Sequence, residues 1–246
     1  MRPGVLAGII RPTSGGAPVA PQMPAGFDLY YRESGITGAS GDVASWDDEG
    51  PFTVRQESPT VGERPALVTV GSVQGAQSTV LGDYARSTAT FQLVKPFIVS
   101  WIGRIDTWIA NDRLLDFDAS AFLVLHTNGG NNSVRWEQGA ADPTAATANF
   151  SDGDIVQITA AIAESGGTST IYINGSSDGT AAANAAAPGA RIFGYGARST
   201  DGAGPADATH LEWVVYNSFA DNAAMAAFDL AGLHARGAYI VGQASG

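Results

Sequence analysis

Three histidines, seven glutamates and no cysteine bound the chemistry open to this chain. Without a thiol there is no disulfide, no thiolate metal site and no cysteine nucleophile. His126 ends a strand-like pattern beside Asn128-Gly129-Gly130, His210 opens another, and His234 falls in a helical pattern. No H-x-x-x-H spacing joins them, so they do not read as a metal site. The G-x-S-x-G spacing occurs once, at Gly175-Ser176-Ser177-Asp178-Gly179, but it follows a hairpin dipeptide rather than opening a helix, so serine-histidine hydrolysis is not signalled. Oxygen ligands are more plentiful. Asp106, Asn111, Asp112 and Asp116 crowd one stretch, and residues 201–207 form another. Calcium takes about six to eight oxygens. Asp106, Asp112 and Asp116 are its candidate ligands, although no D-x-D-x-D-G loop is present; no other cofactor is expected. Sugar binding needs an exposed ring with amide, carboxylate or guanidinium groups around it. Trp108 with Asn111 and Asp112, and Tyr195 with Arg198 beside the loop 197–207, have that composition and are the candidate glycan contacts. The competing reading packs Trp108 in the core or an interface. Asp116 and Asp118 share one strand face and read as solvated turn or edge carboxylates.

The elements that must position these residues are strands. From Phe27 onward the apolar pattern has period two. Phe97, Val99, Trp101 and Ile105 fall on one face of a strand and Ile98 and Ile102 on the other, the mark of a central strand buried on both sides. Val134 and Trp136 alternate with Ser133, Arg135 and Glu137, which predicts a half-buried strand and an internal Trp136; Trp46 is internal on the same grounds. Ile171-Tyr172-Ile173 runs into Asn174-Gly175, a hairpin dipeptide. Leu211, Trp213 and Val215 alternate with Glu212, Val214 and Tyr216. About twelve such strands suit an all-β, two-sheet antiparallel sandwich. One short C-terminal helix is expected. Ser218 or Asp221 would cap it; Met225, Phe228, Leu230 and Leu233 would be its apolar contacts; Arg236-Gly237 would stop it. Residues 181–187 are alanine-rich but short, and read as a loop.

The order of these pieces resembles the laminin-G-like, or concanavalin A-like lectin/glucanase, jelly roll. Phe27-Asp28-Leu29-Tyr30-Tyr31 followed by Gly41-Asp42-Val43-Ala44-Ser45-Trp46-Asp47-Asp48 is similar to the opening strands of that family. Arg64-Pro65 before Ala66-Leu67-Val68, Leu81-Gly82-Asp83-Tyr84, Ile171-Tyr172-Ile173-Asn174-Gly175 and residues 211–233 resemble later pieces in the same order. The resemblance covers about residues 27–240. The sequence departs from the pattern at Glu49-Gly50-Pro51-Phe52, where the family opening is usually followed by S-G-N-G. The resemblance implies a jelly roll, a fold that hosts lectins, glycosidases and adhesion modules alike. A retaining glucanase on it would carry E-x-D-x-E or E-x-D-x-x-E on one strand. Glu33, Glu49, Glu57, Glu63, Glu137, Glu164 and Glu212 are never followed two positions on by aspartate, so that signature is absent.

Residues 1–25 stand apart from the sandwich expected over 26–246. Pro3, Pro12, Pro18, Pro21 and Pro24 sit among glycine and alanine without periodicity, and read as an extended docking arm. Within it Val5, Leu6, Ile9 and Ile10 form a β-prone run suited to adding a strand to a neighbour's sheet. The six residues 5–10 end at Arg11-Pro12. A secretory core needs roughly 7–15, so the start reads as a mature N-terminus. No apolar stretch reaches the ~18 residues of a bilayer span. The net charge of −11 argues against nucleic acid and anionic membranes as partners. These features predict a non-enzymatic structural or adhesion protein of a phage or phage-like virion: a tail fibre, tail tip or capsid decoration. It would dock through its arm on other virion proteins or on copies of itself, and would reach a host surface glycan. The alternative is a lectin-like carbohydrate-binding module on a bacterial cell surface. A third class is a glycan-cleaving enzyme with unrecognised carboxylates.

Overall fold

Among the described residues, period-two patterning becomes sixteen strands, β1 Leu29–Tyr31, β2 Ile36–Ala39, β3 Asp42–Asp47, β4 Arg55–Glu57, β5 Ala66–Val70, β6 Val73–Ser78, β7 Ala85–Phe91, β8 Phe97–Thr107, β9 Arg113–Asp118, β10 Ala121–Asn128, β11 Asn131–Glu137, β12 Ile155–Ile162, β13 Thr168–Ile173, β14 Ser176–Ala182, β15 Arg191–Tyr195 and β16 Asp207–Tyr216, then helices α1 Asn222–Ala226 and α2 Leu230–Ser245. The computed structural model describes residues 19–39, 41–79, 82–118, 121–138, 143–183, 189–198 and 202–246. Val5, Leu6, Ile9 and Ile10 of the expected arm lie outside the described residues, as do Leu81, residues 184–187, Asp201 and the side chain of Asp118. The four strands beyond the expected dozen include pieces of three to five residues, too short to show alternation.

The strands pair in one antiparallel path, β11-β10-β9-β15-β7-β4-β3-β5-β6-β16-β8-β12-β13-β14, with β1 on β16 and β2 on β3. A single residue pair, Asp42 with Ala66, joins β3 to β5. At that thin junction the path folds over, giving a two-sheet jelly-roll sandwich. One sheet centres on β16, β8 and β12, the other on β7, β15 and β9. Between them lies the main core. Phe97, Val99, Trp101, Ile105, Trp213 and Val215 from the first sheet meet Trp46, Leu115, Phe117, Trp136, Phe193 and Tyr195 from the second. Trp46 and Trp136 are fully buried, as alternation predicts.

β8 is buried on both faces, as its sequence predicts. Ile98 and Ile102 point away from the main core into two smaller clusters. In β16 the alternation slips. A bulge at Leu211, between the pairs His210–Gly103 and Glu212–Ile102, sends Leu211 outward with Val214 and Tyr216 instead of inward with Trp213. A bulge adds one residue and reverses the face of all that follow.

Those outward residues need a cover, and α2 supplies it. Leu233, Ile240 and Ala244 of the helix pack on Ile98, Ile102, Leu211 and Val214. The expected single helix is two. Asp221 caps α1, accepting from Ala224 N at 2.8 Å, and Asp229 caps α2, accepting from Gly232 N at 2.9 Å. The helix does not stop at Arg236-Gly237; it runs through to Ser245. Gly237 is glycine for a tertiary reason. A Cβ there would overlap the carboxamide of Gln157 on β12. That carboxamide donates to Ser100 Oγ at 3.0 Å and to the Leu233 carbonyl at 3.3 Å. The predicted Asn174-Gly175 turn is present, with φ of +49° and +82°.

The two ends of the strand path are tied by one segment. Residues 143–150 bond to β11 through Trp136 N to Pro143 O (3.2 Å), Ala145 N to Val134 O (2.9 Å) and Phe150 N to Asn132 O (2.7 Å). The same segment reaches β14 through Ala146 N to Asp178 O (3.1 Å), Thr147 N to Asp178 Oδ1 (2.9 Å) and Ala148 N to Asp178 Oδ2 (2.8 Å).

Two glycines of α2 separate tertiary demand from propensity. Gly237→Ala is expected to destabilise the protein by about 1–3 kcal/mol through overpacking. Gly242→Ala meets open space and is expected to stabilise by up to about 1 kcal/mol. Urea unfolding of both variants checks the opposite signs.

Candidate functional site

One serine-histidine pair lies in the core. His210 is fully buried, with Trp101 Nε1 donating to its Nδ1 at 2.9 Å and Ser78 Oγ 3.0 Å from its Nε2. Because Nδ1 accepts, the ring proton sits on Nε2 and points at the serine. The Ser78 hydroxyl in turn donates to Ala206 O at 2.7 Å. A general base needs the opposite polarity, an Nε2 lone pair that takes the serine's proton. Burial also pushes His210 down to about 3. The pair is a structural link between β6, β8 and β16.

The residues singled out in the sequence scatter. Tyr195 is fully buried, its ring 5.3 Å from Trp46 and 4.7 Å from His210; it offers no face to a ligand. Trp108 is half-buried against the main core, its backbone N–H held by Asp152 Oδ1 at 2.7 Å. Arg198 is partly buried, and its backbone N–H bonds to Ala203 O at 2.9 Å. Asn111 is exposed at φ +75°, and Asp112 next to it is buried. The two oxygen-rich stretches do meet, since Arg113 N bonds to Gly204 O at 3.0 Å. Burial, then the charge of Asp207, pushes Asp112 up to about 6.

The calcium candidates do not converge. Asp106 is paired with Arg104 and accepts from Thr209 Oγ1 at 2.7 Å on the helix-covered sheet. Asp116 is paired with Arg113 on the other sheet. Among the described residues no group of three or more histidine, aspartate or glutamate side chains could hold a metal ion. Asp106, Asp112 and Asp116 therefore do not fit one calcium ion.

What the strands do assemble is a row across the outer face of the second sheet. Ser45, Glu57, Arg86, Gly194, Asp116, Phe122 and Glu137 fall opposite one another on β3, β4, β7, β15, β9, β10 and β11. Directly opposed residues share a face, and seven strands at about 4.8 Å spacing span about 29 Å. Most charges on this face are matched. Arg55 pairs with Asp47 at 2.6 Å and Glu57 at 3.5 Å, Arg113 pairs with Asp116, and Arg135 pairs with Glu137. The Arg113 guanidinium also lies 3.5 Å above the centre of the Phe122 ring. A cavity of about 350 Å³ opens beside the row, lined by Glu57, Ser58, Arg86, Thr88 and Ile192. The row depends on register across seven strands, so no local sequence signal could reveal it.

A second concavity, about 430 Å³, lies between α2 and the turn 32–34. Its charged floor is the buried pair Arg236–Glu212 at 2.6 Å, whose charges neutralise each other.

At one end of the second sheet the β3–β4 turn holds an exposed ring. Phe52 is 51% exposed and meets Phe91 edge-on, centroids 5.1 Å apart. Buried Asp48 clamps the turn, its Oδ1 accepting from Tyr30 N and Gly50 N, both at 2.7 Å. Thr53 sits at φ +49°, a strained position for a β-branched residue.

No family model and no curated protein matches this sequence. Solved structures do share its fold. The receptor-binding domain of botulinum neurotoxin type G is 10% identical with a TM-score of 0.54, the match covering 88% of this chain and 52% of that one. The binding domain of Paraclostridial mosquitocidal protein 1 is 14% identical with a TM-score of 0.53, over 78% and 49%. Trypanosoma rangeli sialidase in complex with a difluoro-KDN is 17% identical with a TM-score of 0.53, over 97% and 35%. The chain thus spans about a third to a half of these structures. At such identities the likeness shows a lectin-like β-sandwich fold and no more.

Two titrations run in opposite directions. The unfolded chain protonates His210 near its ordinary 6.5, whereas the folded chain resists to about 3. On its account stability falls as pH drops through that window, by up to about 1.4 kcal/mol per unit. Folded Asp112 protonates at about 6, against an ordinary 3.8, so its contribution improves as pH falls from 6 to 4. Asp112→Asn is expected to stabilise by about 1–3 kcal/mol at pH 7–8, a gain that vanishes by pH 4. Chemical denaturation across pH 4–8 checks the sign. Arg113→Ala takes the guanidinium from the fully buried Asp116 carboxylate and is expected to destabilise the protein by up to about 3–5 kcal/mol in the same assay at pH 7.

Proposed function

We propose that this chain is a non-catalytic adhesion module whose second sheet binds a neutral surface glycan. The observation that carries it is the charge-matched row across β3 to β11, on the face opposite the core while α2 covers the outer face of the first sheet. Sugar hydroxyls are bonded by fixed carboxylate and guanidinium groups. A row with its charges paired suits neutral hydroxyls better than ions. The partly exposed pairs lie toward the two ends of the row, Arg55 with Asp47 and Glu57 at one and Arg135 with Glu137 at the other, with the buried Arg113–Asp116 pair between them. Shared architecture with toxin receptor-binding domains supports a binding role by analogy. The polarity of Ser78–His210 and the pairing of the row carboxylates with arginine support the non-catalytic part.

The module's carrier, on this reading, is a phage or phage-like virion, with a laminin-G-like sandwich docked through residues 1–25. Support for that comes from the sequence: a Pro/Gly-rich arm with Val5, Leu6, Ile9 and Ile10 as its β-prone run.

The test is a panel of neutral oligosaccharides scored for binding and for release of reducing ends. Binding without hydrolysis is expected. Arg55→Ala with Arg135→Ala is expected to weaken it tenfold or more. The unfolding midpoint should stay close to that of the wild-type chain. No binding at millimolar sugar would end the glycan reading, and released reducing ends would end the non-catalytic one. Light scattering on the full chain and on a chain starting at Ala25 tests the arm, with assembly expected only for the former.

A further inference from the structure

Among the described residues, Phe52 is the only aromatic side chain among the large apolar groups left exposed. A lone exposed apolar residue needs no explanation, but this one is built into place. Its turn is fixed from below by the Asp48 carboxylate, which takes two backbone amides at 2.7 Å. The Tyr31 hydroxyl holds the far end through Val54 O at 2.7 Å. Gly50 lies so close to the Asp28 carbonyl that no Cβ fits. Thr53 is held in the left-handed region, and strain of this kind persists only where the surroundings enforce it. Phe91, buried beneath, meets the ring at 90° and leaves part of it open. At the base of the turn the Asp47–Arg55 pair, 2.6 Å apart, faces solvent with about half of each side chain exposed. A rigid half-exposed ring costs little conformational entropy to use in binding.

We infer that Phe52 is a stacking platform for the apolar face of a neutral pyranose. Neutral is specified because the chain carries −11 overall and Asp47 and Glu49 flank the turn, which disfavours acidic sugars. This deepens the glycan-binding reading and rests on it.

The experiment titrates a panel of neutral hexose oligosaccharides into the full chain, Phe52→Ala and Phe52→Trp. Binding, unfolding midpoint and mass by light scattering are read for each. The expected result is a tenfold or greater loss in Phe52→Ala, retained or tighter binding in Phe52→Trp, and unchanged midpoints and masses. If the wild-type chain binds and Phe52→Ala binds equally well, the platform is wrong and glycan binding elsewhere stands. If the wild-type chain binds none of the panel, the glycan reading and the platform fall together. If Phe52→Ala lowers the mass of an assembly while sugar binding persists, the ring docks protein and the inference is overturned.

Discussion

Trp213 keys the two sheets together. Its indole stacks on Tyr31 at 4.2 Å and takes the edges of Phe193 at 6.1 Å and Phe117 at 6.0 Å. Aromatic pairs of this kind add about 0.5–1.5 kcal/mol each beyond the area they bury. They are also directional, so the stack fixes how β16 sits over β9 and β15. Trp101 lies beside it on β8, opposite Trp213 in register, and ties His210 and Ser78 into the same layer. The bulge at Leu211 keeps this possible. It lets His210 and Trp213, three residues apart, both face the core.

The same bulge loads the opposite face of that sheet with apolar residues. Leu211, Val214 and Tyr216 join Ile98 and Ile102 there, and apolar area of that size cannot face water without cost. The helix α2 answers that demand, and Gly237 lets it come close enough. Coverage of one sheet leaves the other with its outer face free. The paired charges of β3 to β11 lie on that second sheet, partly exposed toward the two ends of the row and buried at Arg113–Asp116.

How much of this was legible in the sequence depends on distance along the chain. The two faces of β8 and the Asn174-Gly175 turn follow from neighbours a few residues apart, and both could be read. The end of α2 could not. Gly237 looks like a stop, but its reason is Gln157, far away on β12. Asp229 as the second cap was hidden for a similar reason, lying inside what looked like one continuous helix. Tyr195 and Trp108 looked like surface rings because polar loops flank them, yet the ends of β15 and β8 carry both toward the core. Phe52 left a faint trace, an aromatic residue inside the polar turn Asp47-Asp48-Glu49-Gly50-Pro51, at the point where the sequence leaves the pattern it otherwise resembles. Its exposure is a tertiary fact. So is the row on the second sheet, which exists only once seven strands are in register.

The segment 143–150 has a consequence for how the molecule fails. An open two-layer sheet can fray from either margin, and each bare margin is a template for another chain. Here one strap fastens both margins, so neither layer can peel without disturbing the other. Asp178 is its clasp on the β14 side, meeting the amides of Thr147 and Ala148. A protease cut in the strap would release two margins at once and turn a local nick into a route to aggregation. The intact strap couples the two margins through backbone hydrogen bonds on one side and the Asp178 carboxylate on the other.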